Sequence, residues 1–218
     1  MSPATPSKKP RPAPRPRWKR RSEARPEEIL DAALAEFTER GFEAARMEDI
    51  AKAAGISKAA IYLYFPSKMA VLEALIEAKV SPLAARAQAL AAAGVADPLM
   101  ALRMLATAAA HHMADPKVIA VPRLVISIAG RFPEIADYYR THVVAKARAA
   151  LESLIDAGKA KGVIRDVDTK AATRAFIGPF FFEAMWTHVL RGETALGDPQ
   201  NLIEQQFDIL LNGLERRA

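Results

Sequence analysis

Residues 47–68 read MEDIAKAAGISKAAIYLYFPSK, and this window holds the side chains with the most directed chemistry in the chain. Lys58, Tyr62 and Tyr64 fall within one short helical pattern, and Lys68 follows just beyond it. A lysine ammonium binds phosphate, a tyrosine hydroxyl binds phosphate or a base edge, and a small residue such as Ala59 lets a helix approach bases closely. Ser57 precedes that helix, and Arg46 and Met47 open the one before it; the candidate nucleic-acid-facing residues are Arg46, Met47, Ser57, Lys58, Ala59, Tyr62, Tyr64 and Lys68. A second constellation, His111, His112 and Asp115, points to metal chemistry, because a histidine and an aspartate four apart share a helix face. Asp115-Pro116 reads better as a helix start, and no third ligand is placed by spacing. There is neither a glycine-rich phosphate loop nor a nucleophile elbow. The expectation is therefore no catalytic residue, no metal and no cofactor.

The elements that must hold these side chains are legible around them. Gly55-Ile56-Ser57 separates two short helical patterns at about 47–54 and 58–64. Glycine accepts the left-handed conformation that a tight turn after a helix needs, and Ser57 can cap the next helix through its hydroxyl. Ala51, one turn before Gly55, is small enough for two helices to cross closely, and Ile50, Ala54, Ile56, Ile61 and Phe65 supply an inner apolar face. Packed on a third helix over 26–40, this makes a helix-turn-helix. Pro66 ends the second helix, and Ser67 caps another whose free amides, with Lys68, can hold a phosphate.

Helical periodicity continues along the rest of the chain. The spacing predicts helices from Ser67 to about Leu90, over 98–114, over 116–129, from Pro133 to near Gly162, from Asp168 to about Leu190, and from Pro199 onward. Gly178-Pro179 should kink the helix they sit in. Alternating strand patterns with hairpin turns are lacking, so the expected class is all-α with about nine helices.

Composition narrows the function classes. The chain has 218 residues, 51% of them hydrophobic and 26% charged, which is enough apolar side chain for a packed core. It has no cysteine, which excludes disulfides, thiol nucleophiles and cysteine metal sites and suits a cytoplasmic location. No apolar run reaches ~18 residues, and no secretory or organelle-targeting pattern opens the sequence. The net charge of +6 is concentrated: residues 1–25 carry nine basic groups and one acid, a balance of +8, which leaves −2 for residues 26–218. With six prolines among residues 1–22, that segment is expected to be an extended, disordered basic arm that attracts phosphates or is simply solvated.

The window resembles the amino-terminal DNA-binding domain of the TetR/AcrR family of bacterial transcriptional regulators. The resemblance rests on Gly55-Ile56-Ser57, Tyr62-Leu63-Tyr64-Phe65, Pro66-Ser67 and Lys68, with Phe37, Gly41-Phe42 and Ile50-Ala51 upstream. It covers about 26–72 specifically, and Arg131-Phe132-Pro133-Glu134 through Gly162-Val163-Ile164 is similar to an AcrR-like carboxy-terminal domain. One departure is Arg46, where the family usually has Ser or Thr as a helix cap; arginine has no acceptor, and Glu48 and Asp49 offset part of the loss through the helix dipole.

Beside the basic arm at 1–25, the resemblance implies two units: the helix-turn-helix at 26–72 and a ligand-binding and dimerisation domain at 73–218. It also implies a homodimer on a palindromic double-stranded operator, released by a small-molecule effector, with no membrane partner. Residues 199–214 are apolar on more than one face, and the helix near 169–190 is rich in aromatics, which independently suits burial between subunits. The expected dimer residues are Phe181, Met185, Ile203, Phe207, Leu210 and Leu214, and the expected effector contacts are His111, His112, Met113, Arg123, Tyr138, Phe176, Phe180 and Trp186. Two other readings stay open: a non-sequence-specific or architectural DNA binder using the arm, and a metal-dependent enzyme.

Overall fold

The computed structural model describes residues 26–113, 115–192 and 199–214, with side chains in the last span at Asn201, Gln205, Gln206 and 208–213. The basic arm, the cap expected at Asp198 and the side chains of Ile203, Phe207 and Leu214 lie outside the described residues.

Among the described residues there are eleven α-helices and no strand. They are α1 (Pro26–Arg40), α2 (Met47–Ala53), α3 (Lys58–Tyr64), α4 (Lys68–Lys79), α5 (Ser81–Ala93), α6 (Pro98–Met113), α7 (Pro116–Ile128), α8 (Pro133–Tyr139), α9 (Ala145–Ala160), α10 (Thr169–His188) and α11 (Pro199–Leu214). A π-helical turn, Arg140–Val144, joins α8 to α9, so the rod predicted from Pro133 runs unbroken to Ala160. Acceptor side chains start these helices where the sequence places them. Ser57 accepts from the Ala60 amide at 3.1 Å, Asp97 from Met100 at 3.0 Å, Asp115 from Lys117 at 2.8 Å and Asp168 from Ala171 at 2.7 Å.

One predicted helix divides. The span expected to run from Ser67 to Leu90 breaks at Val80, where α4 ends and α5 begins. Pro82 is the cause: it has no amide for the carbonyl four residues earlier, and its ring clashes with that turn, whereas the first turn of a new helix accepts it without penalty. The helix count rises accordingly above the expected nine.

Two apolar cores hold the molecule together. The first gathers α1, α2, α3 and α4 around Ile29, Phe37, Ile50, Ile61, Leu72 and Leu75, and side chains of α7 and α8 complete it, among them Val121, Val125 and Ile135. Aromatic packing extends it, with the Phe42 ring 5.2 Å from Phe37 and 5.3 Å from Phe132. The second core lies among α5, α6, α9 and α10, with Leu102, Leu105, Leu151, Leu154, Phe176 and Phe180, and takes Leu211 from α11. The helix-turn-helix is thus bedded on α7 and α8 and does not hang from α4 alone.

Candidate nucleic-acid interface

The turn between α2 and α3 forms as its residues dictate. Gly55 has φ +71°, a conformation that side-chain-bearing residues rarely adopt, and the chain reverses there with the Ile56 amide donating to the Ala51 carbonyl at 2.9 Å. Ala51 is 1% exposed, small enough to sit in the crossing. Ile61, fully buried, anchors α3 to the first core. The rest of α3 is largely open to solvent: Lys58, Ala59, Tyr62, Leu63 and Tyr64 are all exposed.

Charge along this surface is mixed. Lys58 Nζ lies 2.7 Å from Glu48 Oε1. That hydrogen bond holds the Glu48 carboxyl below its ordinary range and raises the Lys58 ammonium above its own. Both groups are well exposed, so the pair is weak and Lys58 can exchange it for a phosphate. Arg46 is exposed in the N-cap position of α2, in extended backbone, and makes no side-chain cap. The α2 amides therefore lack the acceptor a serine would supply, while Glu48 and Asp49 stand in the first turn.

Two residues of the predicted set have surroundings that the sequence does not show. Met47 is 6% exposed and packs in the first core, so it supports α2 from within and is not presented to a duplex. Its apolar side chain at the first helical position faces the core because α2 must bury that side against α1. Lys68 is engaged by its own chain. Its Nζ donates to the Glu43 and Ala45 carbonyls, each at 2.9 Å, and lies 4.7 Å from the Phe42 ring centre. Partial burial pushes this ammonium below the usual lysine range. The lysine instead ties the loop between α1 and α2 to the start of α4, and Arg131 joins from the other side through an ion pair with Glu43 at 2.7 Å. Leu63 is absent from the predicted set, yet it is 88% exposed. The signal for it in the sequence is its position two residues after the inward Ile61.

The expected effector residues have different surroundings. Phe176 and Phe180 are buried in the second core with ring centres 5.5 Å apart. Tyr138 lies by the first core, where its hydroxyl donates to Glu77 Oε1 at 3.1 Å and its ring stacks on His142 at 4.0 Å. Burial and Glu77 push that phenol up to about 12. Arg123 and His111 are exposed, and His111 Nδ1 is 2.9 Å from the Thr107 carbonyl oxygen. Met113 is half-buried, and Trp186, 39% exposed, stacks with Phe182. His112 is half-buried, and its Nε2 has no hydrogen-bond partner among the described residues; desolvation lowers its pKa. Among the described residues no three His, Cys, Asp or Glu side chains are grouped to hold a metal ion.

On the outer side of α10 and α11 the apolar surface is broad. Phe181, Phe182, Leu190 and Ile209 are exposed at 42%, 58%, 64% and 72%. Of the remaining predicted dimer residues, Met185 and Leu210 are half-buried. A groove between the two helices is lined by Ala175, Gly178, Pro179, Phe182, Gln206, Ile209 and Leu210. Phe182, Leu190 and Ile209, absent from the predicted set, are more exposed than Phe181. Among the described residues no single helix is long and apolar enough to cross a membrane.

Comparison with known proteins agrees with this architecture. Residues 29–75 match the family described as bacterial regulatory proteins, tetR family, and residues 100–206 match the AefR-like transcriptional repressor, C-terminal domain. The HTH-type transcriptional regulator RutR of Escherichia coli (strain K12) is 42% identical over 66 residues, 28% of this chain and 31% of RutR. The chain thus matches only about a third of the length of that relative. The uncharacterized HTH-type transcriptional regulator YdeS of Bacillus subtilis (strain 168) is 27% identical over 173 residues, 78% of this chain and 83% of YdeS. The crystal structure of the TetR family transcriptional regulator PfmR from Thermus thermophilus superposes with a TM-score of 0.67 at 27% identity, covering 86% of this chain and 99% of PfmR. With both halves matched, and with α3 held outward by Gly55 and Ile61, the chain belongs to the TetR/AcrR family of transcriptional regulators.

Proposed function

We propose that this protein is a sequence-specific DNA-binding transcriptional repressor that works as a homodimer and leaves a palindromic operator when a small molecule binds its second domain. The observation that carries the reading is α3 itself. One side chain, Ile61, is fully buried in the first core, while five of the seven residues of the helix are exposed. A short helix presented in this way fits the major groove, and a two-fold dimer sets two such helices about 34 Å apart or one turn further on. The match of residues 100–206 to an AefR-like repressor domain supports repression over activation.

Selection of bound duplexes from random DNA, followed by anisotropy titration, tests the proposal. The expected result is a palindromic site bound at least ~10³-fold more tightly than random duplex at physiological salt. Equal affinity for all sequences would instead favour the architectural reading, in which the +8 of residues 1–25 does the binding. In the repressor reading, removal of residues 1–22 lowers affinity for every duplex alike and leaves the sequence preference intact. It also flattens the salt slope by about 0.9 for each phosphate that the arm no longer neutralises. Compounds that release the selected duplex then identify the effector.

A further inference from the structure

At about 100° per residue, the side chains of α3 can be placed around its axis relative to the buried Ile61. Tyr62 and Lys58 fall on one flank and Ala60 and Tyr64 on the other. Ala59 and Leu63, four apart, project within about 20° of the direction opposite Ile61 and form the outermost ridge of the helix. Exposure agrees with this: Leu63 is 88% exposed, against 43% for Tyr62 and 39% for Tyr64. Two of the neighbouring polar groups have partners within the domain, Lys58 with Glu48 and Ser57 with the α3 amide of Ala60, and the two tyrosine hydroxyls lie on the flanks. The ridge that reaches furthest into a groove therefore carries no hydrogen-bonding group, and its one large side chain is a leucine. The apolar feature that base edges offer in the major groove is the C5-methyl group of thymine.

We propose that Leu63 is a specificity-determining residue that reads thymine by packing on its C5-methyl group, once in each half-site. This rests on α3 being the recognition helix. The tyrosines and Lys58 on the flanks are then left for phosphates and the groove walls, which position the helix without specifying the base. The interior of the domain is complete without Leu63, so its exposed apolar surface gains a partner only when the duplex is bound.

The test uses the full chain and a selected operator in which each thymine of the half-site is replaced in turn by deoxyuridine, which removes only the methyl group. At one symmetry-related position the wild-type protein should bind about four-fold more weakly for each methyl removed, the ratio that corresponds to burying one such group. Leu63→Ala should bind the thymine and uracil duplexes equally, and Leu63→Met, which keeps an apolar reach, should retain the uracil penalty. Because Leu63 is exposed, both variants should melt at the wild-type temperature. Uracil tolerance at every position, or an undiminished penalty in Leu63→Ala, would overturn the assignment while leaving the repressor reading intact. Failure to select any preferred duplex would overturn the repressor reading, and the role of Leu63 with it.

Discussion

Lys68 carries a full positive charge into a partly buried corner, and its two carbonyl acceptors and the Phe42 ring make that placement tolerable. Hydrogen bonds to a charged group contribute about 1.5–3 kcal/mol when well buried, and the exposed half of this pair contributes less. Lys68→Met keeps the apolar stem and removes both bonds, so a loss of about 1–2 kcal/mol is expected, seen as a melting temperature lower by a few degrees. The salt slope of DNA binding should not change. A salt slope reduced by about 0.9, with the melting temperature unaltered, would instead mean that the ammonium reaches a phosphate. Met47 gives the same lesson from the apolar side: its place beside Arg46 suggests the DNA surface, while its 6% exposure shows a core residue.

For the elements, the turn at Gly55 sets the angle between α2 and α3. Nothing lies within 4 Å of where a Cβ would stand there, so the cost of a substitution comes from the left-handed backbone alone. Replacement by alanine is expected to cost about 1–2 kcal/mol, with less for asparagine, which tolerates that region. The order Gly, Asn, Ala, Val should appear in both chemical-denaturation midpoints and operator affinity. A neutral Gly55→Val would show that the turn does not need this conformation. Pro82 is the complementary case. It divides what periodicity reads as one helix into α4, which packs in the first core, and α5, which contributes Ala87 and Ala91 to the second.

At the scale of the whole molecule, the described residues present an apolar face on α10 and α11, where Phe182 and Ile209 are 58% and 72% exposed. Single exposed apolar residues are common, but a contiguous face of aromatic and aliphatic side chains marks an association surface. A C2 contact between two copies buries the same residues from both subunits, so one substitution acts twice. Phe182→Glu combined with Ile209→Glu should convert a dimer to a monomer in sedimentation or light scattering at micromolar concentration. Operator affinity should fall by at least ~100-fold, because a monomer engages one half-site without the other. A wild-type protein that is monomeric at that concentration, or a doubly substituted dimer, would remove this face from the interface.

Much of this molecule follows from short-range chemistry, and that part is written in the chain. Gly55 needs a conformation that other residues avoid, Ser57, Asp97, Asp115 and Asp168 supply acceptors for free amides, and Pro133 opens a helix that its apolar stripe carries forward. Such choices depend on neighbours within one turn, so helix positions and the motif are legible from sequence. Which of the exposed-looking residues is in fact exposed depends on what arrives from far along the chain. The loop carbonyls that receive Lys68, the α1 surface that covers Met47, and the α7 and α8 side chains that complete the first core are set by packing between distant segments. The scatter of the predicted effector residues between two cores and the surface has the same origin: helical spacing fixes a direction around one helix, and only the assembled helices decide what lies in that direction.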